Sequence, residues 1–221
     1  MAKRFNPELI PPFPTLDFEK SFWQRGSHIV AGLDEAGRGA LAGPLYAAAV
    51  VLPFEEPTLN EQLLGVRDSK QLTFIEREQL APVIRAIAVE FVIVSVEPEE
   101  IDRLGMAKAG RLVFQRAISE LKQKPAHLLI DYFEIPETDI PQTCLVKGDQ
   151  RSLSIACASI LAKQARDHRM IEEAAKFPGY LFESNKGYGS REHLQAIDIL
   201  GLCPLHRRSF CGHLLQGKLF D

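Results

Sequence analysis

No hydrophobic stretch in this chain approaches the roughly 20 residues that a membrane-spanning helix needs, and the first residues, Met1 to Pro7, lack the apolar core of a secretory signal. A cytoplasmic protein with no membrane partner is therefore expected. Cysteine is scarce, and Cys144, Cys157, Cys203 and Cys211 stand apart in dissimilar surroundings, which excludes a disulfide framework. There is no internal repeat and no long linker. Net charge is also small, −3, which argues against a nucleic-acid binder that relies on bulk charge. The charge is unevenly spread, however. Residues 1–146 carry 15 Lys and Arg against 21 Asp and Glu, while residues 147–221 carry 11 against 8, so the last third has room for a basic face.

What is present is an ordinary globular composition, 46% hydrophobic over 221 residues, enough for a sizeable core. Pro7, Pro11, Pro12 and Pro14 predict an extended arm over residues 1–25, because proline neither donates to a ladder nor continues a helix. A strand is expected from His28 to Asp34 and a second from Pro44 to Leu52; so short a connection makes them an antiparallel hairpin. A polar loop with Arg67-Asp68-Ser69-Lys70 follows, then a capping box at Thr73 and Glu76 that opens a helix to about Ile87. Val89–Val96 is rich in β-branched residues and reads as a third strand. Met106, Ala109, Val113, Ala117 and Leu121 repeat at helical spacing. His127–Asp131 and Gln142–Val146 are short buried strands, the second reaching Lys147-Gly148-Asp149. Long helices follow over about Ser152 to Ala175 and Ser190 to Leu200, the latter stopped by Gly201. This order implies an α/β protein whose mixed sheet begins as an antiparallel meander and gains strands through helical crossovers, with helices on both faces.

The chemistry collects at strand ends. Asp34 with Glu35, Asp131 and Asp149 all stand where strands are expected to finish. Four carboxylates in one place repel and need a compensating cation. Oxygen ligands without an accompanying histidine or thiolate favour Mg²⁺ or Mn²⁺, and the set suits a two-metal phosphodiester site. Adjacent residues of a regular strand point to opposite faces, so Asp34 and Glu35 are expected to converge only if the strand breaks between or just after them. The glycines of the following turn would end it there.

Asp34-Glu35-Ala36-Gly37-Arg38-Gly39, Asp68-Ser69-Lys70, Asp131, Lys147-Gly148-Asp149, Ser154 to Lys163 with Arg166-Asp167, Lys186-Gly187-Tyr188-Gly189 with His193, and His206-Arg207-Arg208-Ser209-Phe210 occur in an order that resembles bacterial ribonuclease HII, over about residues 28–213. The resemblance implies a ribonuclease H-like fold with a five-stranded sheet, spanning 26–185, and a small C-terminal substrate-binding helical extension over 186–221. It implies a monomeric endonuclease that hydrolyses the RNA strand of RNA·DNA hybrids and cuts 5′ of single ribonucleotides in duplex DNA. Asp34, Glu35, Asp131 and Asp149 would be its metal-binding and catalytic acids. Gly37, Arg38 and Gly39 would lie against the ribose and read its 2′-OH, and Tyr188 would stack on or bond to the junction nucleotide. Lys70, Lys147, Ser154, His206 and Arg208 would be further substrate contacts.

Elementary chemistry agrees with two of these roles. Backbone without a bulky Cβ can approach a sugar closely, and the 2′-OH is the group that separates RNA from DNA. A tyrosine between glycines offers a ring and a donor together. The alternatives are another metal nuclease of the same fold, of the junction-resolving type, and a nonenzymatic hybrid-binding protein; a pure binder gains nothing from four negative charges facing phosphate. A separate zinc site at Cys203, His206, Cys211 and His213 is a further possibility, although its spacing is irregular for a finger.

Overall fold

The computed structural model describes residues 5–215. Five strands form one sheet: β1 Val30–Ala36, β2 Leu45–Val51, β3 Glu90–Val96, β4 His127–Asp131 and β5 Gln142–Leu145. Their order is β3-β2-β1-β4-β5. The first three make an antiparallel meander, and β4 and β5 join parallel to β1. This is the mixed sheet expected, with the β4 bounds as read.

One face carries Leu33, Leu45, Val94, Leu128 and Ile130 and is covered by α4 (Pro98–Leu104) and α5 (Met106–Ser119), which contribute Ile101, Val113 and Phe114. The other face carries Ala36, Ala48 and Val50 and is covered by α2 (Leu59–Gln62), α3 (Phe74–Ile87) and α6 (Leu153–Lys176). Helix α6 is the central support, because β1 packs almost directly on its first turns. A Cβ on Gly32 would collide with the backbone and hydroxyl of Ser154, so only glycine lets strand and helix approach this closely. The capping box at Thr73 and Glu76 opens α3 as expected, and Pro82 lies inside that helix.

Three expectations need correction. The N-terminal segment is not simply extended: it makes a 3₁₀ turn at Pro7–Leu9 and a helix α1, Asp17–Trp23. The prolines stop at Pro14, and beyond them Glu19 is buried against the start of α6, which ties the segment to the core. Residues 1–4 of the expected arm lie outside the described residues. The stretch between β2 and α3 is not a plain loop, since it holds α2 and a 3₁₀ turn at Ser69–Gln71 capped by Asp68. Asp149 is not at a strand end but on a 3₁₀ turn, Gly148–Gln150, between β5 and α6. Of the two places at which β1 is expected to end, between Asp34 and Glu35 or just after them, it takes the second and stays paired with β2 through Ala36.

After α6 the chain folds back over its far end through α7 (Phe182–Asn185), α8 (Arg191–Leu200) and α9 (Arg208–Leu215). Tyr180, Phe182, Ile197 and Leu205 form a third apolar cluster there with Ala42 and Met170. None of the described helices is long and apolar enough to cross a membrane.

Candidate active site

The two central strands part at one end. Pairing of β1 with β4 stops at Leu33 and Ile130, so Asp34 and Glu35 are held only from the β2 side while the β4 side opens. This opening, rather than a break in β1, lets both acids come within electrostatic range of Asp131. Asp34 is buried, and its Oδ1 accepts the Glu35 amide at 2.7 Å. Burial pushes its carboxyl well above the usual range, and Glu35, Asp131 and Asp149 push it further; the hydroxyl of Ser159 acts the other way. Glu35 is raised to about 7, mainly by burial, with Arg38 and Lys70 opposing. Its Oε2 is buried without a hydrogen-bond partner.

Asp131 closes β4, and its Oδ1 accepts the Gly148 amide at 2.7 Å, which ties it to the turn that carries Asp149. Burial raises its pKa, opposed by that hydrogen bond and then by Lys70. Asp149 is raised to about 7 by burial and then by Asp131 and Asp68. Lys70 Nζ lies 4.0 Å from Asp149 on an exposed side chain. Glu35, Asp131, Asp149 and Lys70 line a cleft of about 580 Å³, together with Asp68, Phe133 and Lys147. A second cavity of about 620 Å³, between α1 and residues 54–60, has no such convergence of acids.

Among the described residues no three acid, histidine or cysteine side chains close round one point tightly enough to chelate an ion. The set nevertheless suits a hard divalent cation: carboxylate oxygens, charge that the protein leaves largely uncompensated, and one orphaned buried oxygen on Glu35. Two of the acids are turned to backbone amides instead.

The turn after β1 is braced from beneath. Arg166, fully buried on α6, donates from Nε to Pro44 O, from Nη2 to Ala42 O and from Nη1 to Lys186 O, at 3.0, 3.1 and 2.9 Å. Arg207, also buried, donates to Gly43 O and Arg38 O at 2.9 and 3.1 Å. Burial lowers its pKa to about 9. Gly37 has φ +98°, and a Cβ there would collide with the Arg166 guanidinium; Gly39 by contrast faces open space. The two glycines therefore answer different needs, internal packing at Gly37 and free approach from outside at Gly39.

A sequence model of the family described as Ribonuclease HII matches residues 31–213. The chain belongs to the ribonuclease HII family. Curated relatives include the ribonuclease HII of Anaeromyxobacter sp. strain Fw109-5, 48% identical over 88% of this chain and 60% of that protein. Another is that of Desulfitobacterium hafniense strain Y51, 48% identical over 87% of this chain and 72% of that protein. Among solved structures, ribonuclease H2 from Pyrococcus horikoshii OT3 superposes with a TM-score of 0.71 at 27% identity, covering 87% of this chain and 99% of that one. The family consists of divalent-metal-dependent hydrolases, endoribonucleases that cleave the RNA strand of RNA·DNA hybrids.

Against that family background, Asp34, Glu35, Asp131 and Asp149 converge as the sequence suggests, with Lys70 and Lys147 on the same cleft. Arg38 reaches the cleft with its guanidinium 5.0 Å from the Phe133 ring and 3.6 Å from Glu35. Tyr188 is partly exposed, its ring 5.0 Å from Arg166 and 5.3 Å from Lys163. Ser154 is a correction. It is fully buried, donating through N–H and hydroxyl to Glu19, so it offers nothing to a substrate. His206 is a second correction, because its ring is buried against His193 and Cys203 and cannot touch phosphate. Arg208 is exposed, with its amide held by Asp102 at 2.8 Å. Of the cysteine and histidine cluster, Cys203 Sγ lies 3.1 Å from His206 Nδ1, Cys211 turns its thiol to Leu41 O, and the His213 side chain lies outside the described residues.

Sequence reasoning gave Asp68 and Arg166 no role in the site and read Arg207, within the His206 to Arg208 cluster, toward phosphate, whereas it is buried on the carbonyls of the turn. Asp68 caps the 3₁₀ turn that presents Lys70, accepting the Lys70 amide and Gln150 Nε2 at 2.9 and 3.0 Å. Its signal was the Asp-Ser-Lys triplet, an N-cap pattern. For the two arginines no local pattern points at carbonyls more than a hundred residues away.

Proposed function

We propose that this chain cuts duplex nucleic acid on the 5′ side of a ribonucleotide, both in RNA·DNA hybrids and at single ribonucleotides embedded in DNA, leaving 3′-hydroxyl and 5′-phosphate ends. The observation that carries the reading is the convergence of four desolvated carboxylates of raised pKa beside a turn whose outer glycine is open to solvent. Asp34, Glu35, Asp131 and Asp149 would hold Mg²⁺ or Mn²⁺, which when bound supplies Lewis acidity at the scissile phosphate and an activated water. The protein's own share is rigidity and selection.

Burial of the acids and the amide donors at Glu35 and Gly148 keep the carboxylates from collapsing onto solvent. Because Arg166 and Arg207 occupy the carbonyls of the 38–44 turn, its backbone stays fixed while Gly37 to Gly39 lies against the sugar and senses the 2′-OH. Tyr188 packs on the junction nucleotide from the other side, and Lys70, Lys147 and Arg208 contact phosphate. Residues 186–221 serve as the substrate-binding extension, and the chain acts as a monomer. The family's place among metal-dependent endoribonucleases favours this reading over a nonenzymatic binder.

The test is cleavage of duplex DNA containing one ribonucleotide, with Mg²⁺ or Mn²⁺, by the wild type and by Asp131→Asn. Cleavage only at the ribonucleotide, lost in the variant and in chelator, is expected. Equal cutting of an all-DNA duplex, or full activity of Asp131→Asn, would overturn it.

A further inference from the structure

Behind Tyr188 lies a buried pair of histidines that neither the acids nor the turn uses. His193 Nδ1 is 2.8 Å from Tyr188 O, His193 Nε2 is 3.2 Å from His206 Nε2, and His206 Nδ1 is 3.0 Å from the Cys203 amide nitrogen and 3.1 Å from its sulfur. These contacts define the protons. A carbonyl only accepts, so His193 Nδ1 carries hydrogen; a backbone amide only donates, so His206 Nδ1 is bare. His206 must then carry its hydrogen on Nε2 and donate it to the bare Nε2 of His193. The chain of donors runs from Cys203 through His206 and His193 to the Tyr188 carbonyl, with both rings neutral. The Cys203 carbonyl, 3.3 Å from His206 Nδ1, is then a neighbour rather than a partner.

The surroundings keep the rings neutral. Tyr180 and Phe182 flank them, with ring centroids 5.0 and 5.8 Å from His206 and 6.5 and 5.3 Å from His193. The charged or titratable groups that face the pair are Cys203 from the loop before it, Tyr180 ahead of α7, and Tyr188; Arg166 and Arg207 lie one residue further off on the carbonyls of the same loops. Burial lowers the pKa of both rings, His206 to about 4. Each end of the relay is anchored. His193 sits in the first turn of α8 with its amide on the Ser190 hydroxyl, and His206 pairs by its backbone with Ala42 in the turn that follows Gly39.

We propose that His193, held in its tautomer and orientation by His206, is a positioning residue that fixes the Tyr188 backbone and so aims the Tyr188 ring at the junction nucleotide. This rests on the reading that Tyr188 contacts that nucleotide. The relay also joins Tyr188 to the Gly37 to Gly43 turn, so the two sides of the ribose site share one buried frame.

The experiment compares His193→Asn with His193→Gln, each alone and combined with Tyr188→Ala. Asparagine places an amide N–H where Nδ1 was and keeps the bond to Tyr188 O; glutamine places it where Nε2 was and loses that bond. Substrates are the single-ribonucleotide duplex and an RNA·DNA hybrid, and melting temperature is followed in parallel. The expected result is near wild-type cleavage for His193→Asn and about a tenfold fall in kcat/KM for His193→Gln at the single ribonucleotide, the net worth of one hydrogen bond. No further fall should appear when Tyr188→Ala is already present. Equal losses in Asn and Gln, or losses additive with Tyr188→Ala, would overturn the positioning role. If Tyr188→Ala itself changes nothing, the reading of Tyr188 fails; if it matters and His193→Gln does not, only the positioning role fails. Should His193→Gln not fold, His206→Asn, which places its amide N–H where Nδ1 was and so removes the Nε2 donor to His193, must give a smaller loss in the same direction, and full activity of that variant overturns the proposal.

Discussion

At the scale of residues, the site separates demands of packing from demands of chemistry. Gly37→Ala should destabilise the fold by about 1–3 kcal/mol, because its backbone lies at φ +98° and its Cβ would meet Arg166. Gly39→Ala should leave the melting temperature unmoved yet depress cleavage at ribonucleotides, since the space outside Gly39 is open in the protein and the proposed reading puts the ribose there. Denaturation and cleavage assays on the two variants check this contrast, and the reverse pattern would contradict it. Tyr188→Ala should damage cleavage at single ribonucleotides while divalent-ion binding by calorimetry stays intact. The four acids were legible because their type and order carry their chemistry. Ser154 misled because the resemblance carries it over as part of a motif, and only the arrival of Glu19, 135 positions earlier, turns it inward.

At the scale of elements, β4 and the capped α3 were legible from local pattern, since a β-branched or aliphatic run and a Thr-x-x-Glu signature act within a few residues. The N-terminal helix α1 was not, because what fixes it is a long-range contact. Glu19 Oε1 accepts from Ser152 Oγ, Ser154 N and Ser154 Oγ at 2.6, 2.9 and 2.6 Å, which clamps α1 to the cap of α6. Glu19→Gln retains that acceptor and should be tolerated. Glu19→Ala strands three donors and should cost about 1–3 kcal/mol, a fall of several degrees in melting temperature. Equal stability of the Gln and Ala variants would show that the clamp is idle. The opening between β1 and β4 was equally hidden, because alternation along one strand says nothing about where its neighbour stops.

At the scale of the whole molecule, the acid cluster makes stability depend on pH and on cations. Glu35 and Asp149 have folded pKa values of about 7, above their ordinary 4.5 and 3.8, and Asp34 and Asp131 are raised as well. Between those values the folded state binds more protons than the unfolded one, so metal-free protein should lose stability as pH rises from about 4 to about 7. Added Mg²⁺ or Mn²⁺ should raise the melting temperature, and more at pH 8 than at pH 5; a flat profile in both conditions would contradict a carboxylate cation site. Substrate affinity should weaken as salt rises, because phosphate contacts supply much of it. The most direct measurement is single-turnover cleavage of a single-ribonucleotide duplex by Asp34→Asn, taken together with its metal-free melting temperature. Removing a buried, uncompensated charge should hold or raise that temperature while cleavage falls at least about a hundredfold, several kcal/mol of lost charge stabilisation. Retained cleavage, or a variant that loses activity only because it unfolds, would contradict the assignment of these acids to the reaction.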